Sequence, residues 1–372
     1  MATREARRGA GGERAERVAT GGPRSDFLDF SVLEDRLEQV IDAIRGATFA
    51  SQVRTVEANL GHWEQCLRGP RSKLRLETRL VVRLEVEGPT SHVPVIWQES
   101  ARAPWEAFHA SLESTLKREV NAAVLGTPLP QTQMVDLVMA PSLSAHWVHE
   151  CIGHSMEADN FARAAGAWRR GENASELPLT VVDDPTSLGH RGAYTFDDED
   201  APSRRVVLID RGVIHEVLHS DQTARLARVA STGHGRRTPG AARALPRMSV
   251  TSAEAGTTSV ASLISQVEDG LYCEGTFGGG ATGLDFVLRP AFARRIRDGQ
   301  IQEEFVRRFD IIGNKLEALK SLAGIGSDLI FLNPAFGCDK DGQDGLAVTM
   351  GAPSLLFRGL RCVPIPTKRA AP

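Results

Sequence analysis

The chain has 372 residues, of which 41% are hydrophobic and 24% charged, with a formal net charge of −3, a balance that suits one or two packed domains. It contains no apolar run of about 18 residues that would predict a membrane span, and its weak net charge provides no global field for binding nucleic acid. Five cysteines without a paired framework, and an N-terminus lacking the apolar core of a secretory signal, lead us to expect a cytoplasmic protein.

The first third of the chain is predicted to contain a tail and a small domain. Residues 1–25 are rich in Ala, Arg and Gly and are predicted to be a disordered tail. Residues 26–133 are predicted to form a short N-terminal α/β domain. In it, apolar residues alternate with mostly charged ones over 74–86, which predicts a half-buried strand with 92–97 as its hairpin partner. Apolar residues then recur at helical spacing over 105–124, which predicts an amphipathic helix.

Residues 134–372 are predicted to form a larger C-terminal domain. A short strand over 135–139 leads into a histidine-containing segment, and a helix is predicted over 315–322. After residue 178, short apolar runs divided by Gly, Asp and Pro predict strands at 206–209, 213–218, 271–273, 286–288, 347–350 and 355–357. Turn signals at 210–212 and 298–299 separate such runs. We therefore expect an α+β fold whose larger domain has a mostly antiparallel sheet.

A possible metal site lies in the segment 149–154, which reads H-E-C-I-G-H. Many zinc peptidases use two such imidazoles as metal ligands and the intervening Glu, here Glu150, as the base that takes a proton from water. The gap between His149 and His154 is one residue longer than in the usual H-E-x-x-H motif. His146, three residues before His149, is an alternative ligand to His154.

The longer gap predicts a distorted helix. Residues five apart on an ideal α-helix lie about 140° apart, so both imidazoles would not face one ion. A π-turn brings such residues back onto one face, and π-turns are frequent at functional sites. Gly153, directly before His154, is expected to ease the deformation.

Further motifs follow this segment in order. They are T-V-V-D-D-P at 180–185, G-H-R-G at 189–192, D-D-E at 197–199 with a strand at 206–209, S-T-G-H-G-R-R at 231–237, P-R-M at 246–248, G-G-G at 278–280, T-G at 282–283, I-G-N at 312–314 and C-D-K-D-G-Q at 338–343. With H-E-x-x-x-H, this series resembles the TldD/PmbA family, also called the modulator of DNA gyrase family. The resemblance runs from about residue 134 to 360, and the H-E-x-x-x-H segment is that of the family's active, TldD-like members.

The resemblance implies a zinc site with Cys338 as the third ligand beside His149 and His154. A catalytic zinc usually has three protein ligands and one open position, and thiolate is a good zinc ligand. Glu150 is then the catalytic base. Glu157, three residues after His154, fits two roles equally: a carboxylate that accepts a hydrogen bond from the ligating imidazole, or part of a solvated acidic face.

Gly278, Gly279, Gly280 and Thr282 are candidate substrate-binding residues. A glycine run can cradle a phosphate, but the Lys-Ser/Thr of a P-loop is absent. Close approach of another backbone is the better explanation, as when a peptide adds as a strand to a sheet edge.

The sequence therefore predicts a zinc metallopeptidase, a hydrolase acting on amide bonds of unfolded or extended peptides. Because the resembled family often pairs an active subunit with a homologue lacking the zinc motif, a homodimer or a heterodimer with a homologous subunit is expected. Neither nucleic acid nor membrane is an expected partner. Two alternatives remain: a hydrolase of a peptide-like small metabolite in a biosynthetic pathway, and a non-catalytic subunit of a heterodimeric peptidase.

Overall fold

A computed structural model describes residues 2–9, 18–20, 30–67, 73–88, 92–101, 105–164 and 166–366. No helix in these parts of the chain is long and apolar enough to cross a membrane. Elements of the first third are strands β1 (Ala2–Gly9), β2 (Val18–Thr20), β3 (Val53–Leu67), β4 (Lys73–Glu87) and β5 (His92–Ala101), helices α1 (Phe30–Gly46) and α2 (Trp105–Leu125), and a 3-10 turn (Ala50–Gln52).

The N-terminal elements form one antiparallel sheet covered by two helices. The strand order is β2-β1-β3-β4-β5. Alternate residues of β4 from Leu80 to Val86 are buried, as the alternation predicts, and they pack with the apolar face of α2 at Leu112 and Leu116. The predicted strand, hairpin and helix are thus confirmed, while α1 and β3 were not predicted.

The structure differs from the prediction of a disordered tail over residues 1–25. Strands β1 and β2 lie within that range, and β1 pairs with β3 along its whole length. This pairing provides hydrogen-bond partners for the backbone groups along one edge of β3. The hydrogen bonds favour order, whereas the polar composition of the segment favours disorder. The rest of the segment lies outside the described residues.

The remaining elements carry the larger domain. Its helices and turns are α3 (Pro141–Trp147), a π-helical turn (Val148–Gly153), a 3-10 turn (His154–Met156), α4 (Ala158–Arg163), α5 (Asp221–Ala227), α6 (Val260–Ile264) and α7 (Lys315–Lys320). Its strands are β6 (Thr127–Pro128), β7 (Gln133–Met139), β8 (Val181–Asp183), β9 (Val206–Asp210), β10 (Val213–Ile214), β11 (Gly235–Arg236), β12 (Leu245–Pro246), β13 (Val250–Ala253), β14 (Asp269–Glu274), β15 (Gly278–Thr282), β16 (Asp285–Arg289), β17 (Phe292–Arg297), β18 (Gln300–Arg307), β19 (Phe309–Asn314), β20 (Leu322–Ile325), β21 (Ile330–Leu332), β22 (Cys338–Lys340), β23 (Gln343–Leu346), β24 (Thr349–Ala352) and β25 (Leu355–Pro364).

Two sheets dominate this domain. A ten-stranded sheet has the order β15-β16-β19-β25-β7-β14-β17-β18-β6, with β20 also pairing with β25, and a six-stranded sheet has the order β10-β9-β8-β13-β24-β21. Most neighbours are antiparallel; β7 with β14, β6 with β18 and β13 with β24 are parallel. Helix α3 contacts strands of both sheets, so the segment that continues from it is fixed between them. The predicted α+β class is confirmed.

Local predictions in this domain hold with three differences, the first being that the strand predicted over 347–350 begins at Thr349 and ends at Ala352. Both turn signals form hairpin turns with positive φ at two successive residues, 44° and 90° at Arg211 and Gly212 and 49° and 71° at Asp298 and Gly299. The strand predicted over 213–218 ends at residue 214. The helix predicted over 315–322 ends at Lys320, because Leu322 pairs with Phe357 of β25.

Glu119 of α2 gives the fold a pH dependence. Its Oε2 atom is buried and has no hydrogen-bond partner among the described residues, and burial raises its pKa from 4.5 to about 8. Because the folded state then holds a proton that the unfolded state has released, stability falls as pH rises from about 4.5 to about 8.

Glu119→Gln should therefore stabilise the protein at pH 7, by about 3 kcal/mol, since the amide is neutral in both states. Urea unfolding at a series of pH values measures the effect. The gain should vanish near pH 4, where the wild-type carboxyl is protonated in both states. An equal gain at pH 4 and pH 7 would contradict the assignment.

Candidate metal centre

The segment that carries the histidines is a helix with a π-turn in it. Helix α3 runs into the π-helical turn Val148–Gly153, and the N–H of His154 donates to the carbonyl of His149, five residues earlier. The predicted distortion is therefore confirmed. The role expected for Gly153 is different: its φ is −53°, an ordinary helical value, but a Cβ there would lie 2.0 Å from Sδ of Met248. Close packing against Met248, not backbone freedom, requires the glycine.

The structure brings His149, His154 and Cys338 together. One ligand atom from each lies within 4.8 Å of the other two, and Nε2 of His154 is 3.4 Å from Sγ of Cys338. His149 and Cys338 are only 1% and 4% exposed. Two imidazoles and a thiol around one point form a donor set that suits zinc.

His146 is not a member of this cluster. Its Nδ1 lies 3.1 Å from the carbonyl oxygen of Ser142, and its side chain lines the cavity beside the cluster. The structure thus assembles the set containing His154 and not the alternative set in which His146 replaces it.

Glu157 holds His154 in place. Its side chain is 0% exposed, and its Oε2 lies 2.9 Å from Nδ1 of His154, which leaves Nε2 directed at Cys338. Asn160 also donates to Oε2 at 3.1 Å, and the Lys340 ammonium forms an ion pair with it at 3.0 Å. Of the two roles proposed for Glu157, the solvated acidic face is wrong, and the carboxylate orients the imidazole.

Burial and neighbouring charges set the protonation states of the cluster. Burial, reinforced by the positive charge of His154, holds the pKa of His149 well below its usual range and so favours the neutral imidazole. Burial by itself would lower the pKa of His154, but the negative charges of Glu157 and Cys338 raise it well above its usual range. A metal at Nε2 of His154 would therefore compete with a proton.

An unpaired buried atom in the cluster is consistent with a bound metal. Nδ1 of His149 is buried without a hydrogen-bond partner within the described parts of the chain. Leaving a buried polar atom unpaired is costly, and such atoms in native structures call for a cause. His149, His154 and Cys338 thus fit a soft or borderline divalent ion.

Residues of the P-R-M motif at 246–248 contact the cluster and the residues around it, a role that the sequence did not predict. Arg247 donates to the carbonyl oxygen of Cys338 at 2.7 Å, and its Nε lies 4.0 Å from Oε1 of Glu157. Lys340 donates to the carbonyl of Pro246 at 2.9 Å, while Met248 packs on Gly153. The motif itself was the only signal that could have pointed to these residues.

Glu150 and Lys315 face the same cavity. Burial raises the pKa of Glu150, and the nearby charges of His154 and Lys315 oppose that rise. Lys315 is itself buried, and its Nζ donates to Oγ of Ser155 at 3.1 Å. Sequence reasoning missed Lys315; its position at the start of α7, after the cap Asn314, carries no chemical signature.

A cavity of about 740 Å³ joins the cluster to the glycine strand. Its wall contains the three clustered side chains and Glu150, and it also contains Gly278, Gly279, Gly280 and Thr282. These four residues belong to β15, the terminal strand in the order of the ten-stranded sheet. Ile96 and Gln98 of β5 line it as well, so the N-terminal sheet contributes to the cavity.

The larger domain matches a known protein family. Residues 132–363 match the family described as PmbA/TldA metallopeptidase C-terminal domain. A metalloprotease of Synechocystis is 33% identical over 253 residues, 66% of this chain and 53% of that protein. A metalloprotease TldD homologue of Buchnera aphidicola from Acyrthosiphon pisum is 30% identical over 217 residues, 57% of this chain and 44% of that protein. The chain thus spans about half the length of these curated relatives.

Solved structures show the same fold. TldE from Thermococcus kodakarensis superposes with a TM-score of 0.75 at 14% identity, covering 97% of this chain and 95% of that one. A protein described as a modulator of DNA gyrase from Thermotoga maritima gives a TM-score of 0.73 at 16% identity, covering 97% and 94%. Since the family match covers more than half of the chain, this protein belongs to the TldD/PmbA family.

Proposed function

We propose that this protein is a zinc-dependent metallopeptidase that hydrolyses amide bonds of unfolded or extended peptides. The observation that carries the proposal is the convergence of His149, His154 and Cys338 beside Glu150 in the wall of one large cavity. The metalloprotease names of its curated relatives support the same chemistry.

In the proposed mechanism, His149, His154 and Cys338 would hold zinc, and Glu150 moves the proton. When bound, zinc would polarise the scissile carbonyl and acidify a water molecule. Glu150 takes the proton of the attacking water and returns it to the leaving amine. Its raised pKa favours both steps, because a base whose pKa approaches the working pH both accepts and releases a proton readily.

Lys315 is the proposed counter-charge for Glu150. Ser155 lies five residues after Glu150, and its hydroxyl accepts from the Lys315 ammonium. Lys315 and Glu150 line the same cavity wall, and the charge of Lys315 acts on the Glu150 carboxyl. The ammonium favours the ionised carboxylate that the first proton transfer requires.

Strand β15 is the proposed binding site for the peptide backbone. A Cβ added at Gly278 or Gly280 would meet nothing within 4 Å, whereas one at Gly279 would lie 2.5 Å from Leu288. The open positions leave room for a second backbone along the sheet edge. Recognition of main chain instead of side chains suits a peptidase for extended peptides of varied sequence.

Gly280→Val should raise KM for a peptide substrate about tenfold, because its branched side chain would occupy the open space where the peptide lies. Metal content and thermal stability should stay at wild-type values. Gly46→Val is the matched control, since a Cβ there also meets nothing within 4 Å and Gly46 does not line the cavity. An unchanged KM in Gly280→Val would contradict peptide binding at this edge.

The proposal as a whole is tested by elemental analysis and a cleavage screen. Protein purified without added metal or tag histidines should contain about one zinc per chain and should cut unfolded polypeptides. Metal-free protein, even after zinc is supplied, would favour a non-catalytic subunit.

We further propose that the protein acts in the cytoplasm, as a homodimer or with a homologous subunit. Mixing it with homologues before size-exclusion chromatography tests this assembly.

A further inference from the structure

The G-H-R-G motif contains a buried arginine that the proposed chemistry does not use. Arg191 is 1% exposed and is among the largest fully buried side chains of the described residues. Its guanidinium pairs with Glu77 of β4, with Nε 2.6 Å from Oε2 and Nη2 3.1 Å from Oε1. A two-point pair of this kind fixes both side chains in distance and angle.

This ion pair joins the N-terminal sheet to the larger domain. Burial by itself would raise the pKa of Glu77, but hydrogen bonds and charge from Arg191, together with Arg79, lower it to about 2. The carboxylate is therefore ionised at every pH at which the protein is expected to work. The Glu77–Arg191 ion pair therefore keeps its charges over this pH range.

The other face of Arg191 holds the chain segment that leads to Cys338. Its guanidinium donates to the carbonyls of Pro334 and Ala335, and its backbone N–H donates to Oδ1 of Asn333 at 3.2 Å. Three consecutive residues, 333–335, are thus fixed by one arginine.

A second contact from the N-terminal sheet fixes the next residue. Oε1 of Gln98, in β5, accepts a hydrogen bond from the N–H of Phe336 at 3.2 Å. Gly337 follows with a φ of 76°, and a Cβ there would lie 2.5 Å from the carbonyl oxygen of Leu346. The chain between Phe336 and Cys338 therefore has little freedom to adjust.

We propose that Glu77, Arg191 and Gln98 position the Cys338 thiol for metal binding, so that the N-terminal sheet is a working part of the metal centre. The inference rests on the proposed metal site. A metal ligand must be held within about 0.5 Å of its productive position, and outer contacts provide that restraint. None of the three residues belongs to the His149, His154 and Cys338 cluster, so they are positioning residues.

The test measures metal affinity by chelator competition and thiolate ligation by the absorption of the cobalt-substituted protein. Glu77→Gln should weaken metal binding about 10- to 100-fold and reduce the cobalt–thiolate band at equal loading. Because Glu77→Gln leaves a buried arginine without its partner and can impair folding, the double variant Glu77→Met with Arg191→Met removes both charges. Gln98→Leu removes one neutral acceptor and should give a smaller effect in the same direction.

Asp310→Asn is the control for the loss of a two-point ion pair away from the cluster. Asp310 forms a two-point pair with Arg289, at 2.8 and 2.9 Å, on strands of the ten-stranded sheet, and neither residue lines the cavity. This variant should keep wild-type metal affinity and the wild-type cobalt spectrum.

The outcomes separate this inference from the proposed function. The positioning role is overturned if the double variant and Gln98→Leu both fold, bind metal with wild-type affinity and keep the cobalt–thiolate band unchanged. The peptidase proposal would then remain intact. If the wild-type protein binds zinc but cleaves no peptide, and the variants bind metal more weakly, the positioning role is supported and the peptidase proposal is rejected. Wild-type protein that takes up no metal would overturn both.

Discussion

Replacing Cys338 by Ala is expected to remove the metal from the protein. The change leaves two imidazoles, one of which, His154, already has a strong tendency to hold a proton because of Glu157. Three protein ligands are the usual number for a catalytic zinc, and the thiolate is the only anionic member of this set. Loss of a residue that only orients a metal ligand lowers metal affinity by up to about 100-fold. Loss of a ligand itself should therefore lower it by more than about 100-fold.

Elemental analysis of wild-type and Cys338→Ala protein, purified side by side without tag histidines, measures this effect. Cys151→Ala is the control for removal of a buried thiol, because Cys151 lies inside the histidine motif but outside the cluster. It should keep about one zinc per chain. Full zinc content in Cys338→Ala would show that another side chain, with His146 the first candidate, completes the site.

The chain's local geometry was predictable where it depends on neighbouring residues. The five-residue spacing of His149 and His154 admits one helical solution in which both face one point, and the π-turn is that solution. The strand over 80–86 and the helix α2 follow from periodicity for the same reason, since each pattern selects one buried face. Helix α1 carries a comparable periodic signal at Leu37, Val40, Ile41 and Ile44, all of which are buried.

Contacts between distant segments were not predictable from pattern. Cys338 lies 184 residues from His154, and only the family resemblance singled it out among five cysteines. The contact of Glu77 with Arg191 spans 114 residues, and charged residues in an alternating strand are ordinarily expected on its solvated face. Such pairs are set by how the sheets pack, which one-dimensional periodicity does not encode.

Replacing Glu150 by Gln is expected to abolish most turnover while the metal stays in place. Gln has nearly the shape of Glu but accepts no proton at neutral pH, and general-base catalysis contributes about 100- to 10,000-fold. Because Glu150 is not among the clustered ligand atoms, zinc content should equal that of the wild type. Glu176→Gln, the same change at an exposed position outside the cavity, is the control and should retain full activity.

The pH profile of the wild type gives an independent check on the same residue. Burial raises the pKa of Glu150, and a general base must be ionised, so kcat/KM should fall as pH drops through that raised value. Zinc content measured at each pH separates this loss from release of the metal, which protonation of His154 also promotes. A Glu150→Gln protein that kept its zinc and wild-type turnover would assign the proton transfer to another group in the cavity. His146, whose pKa burial lowers and whose ring lines the same wall, would then be the next residue to replace.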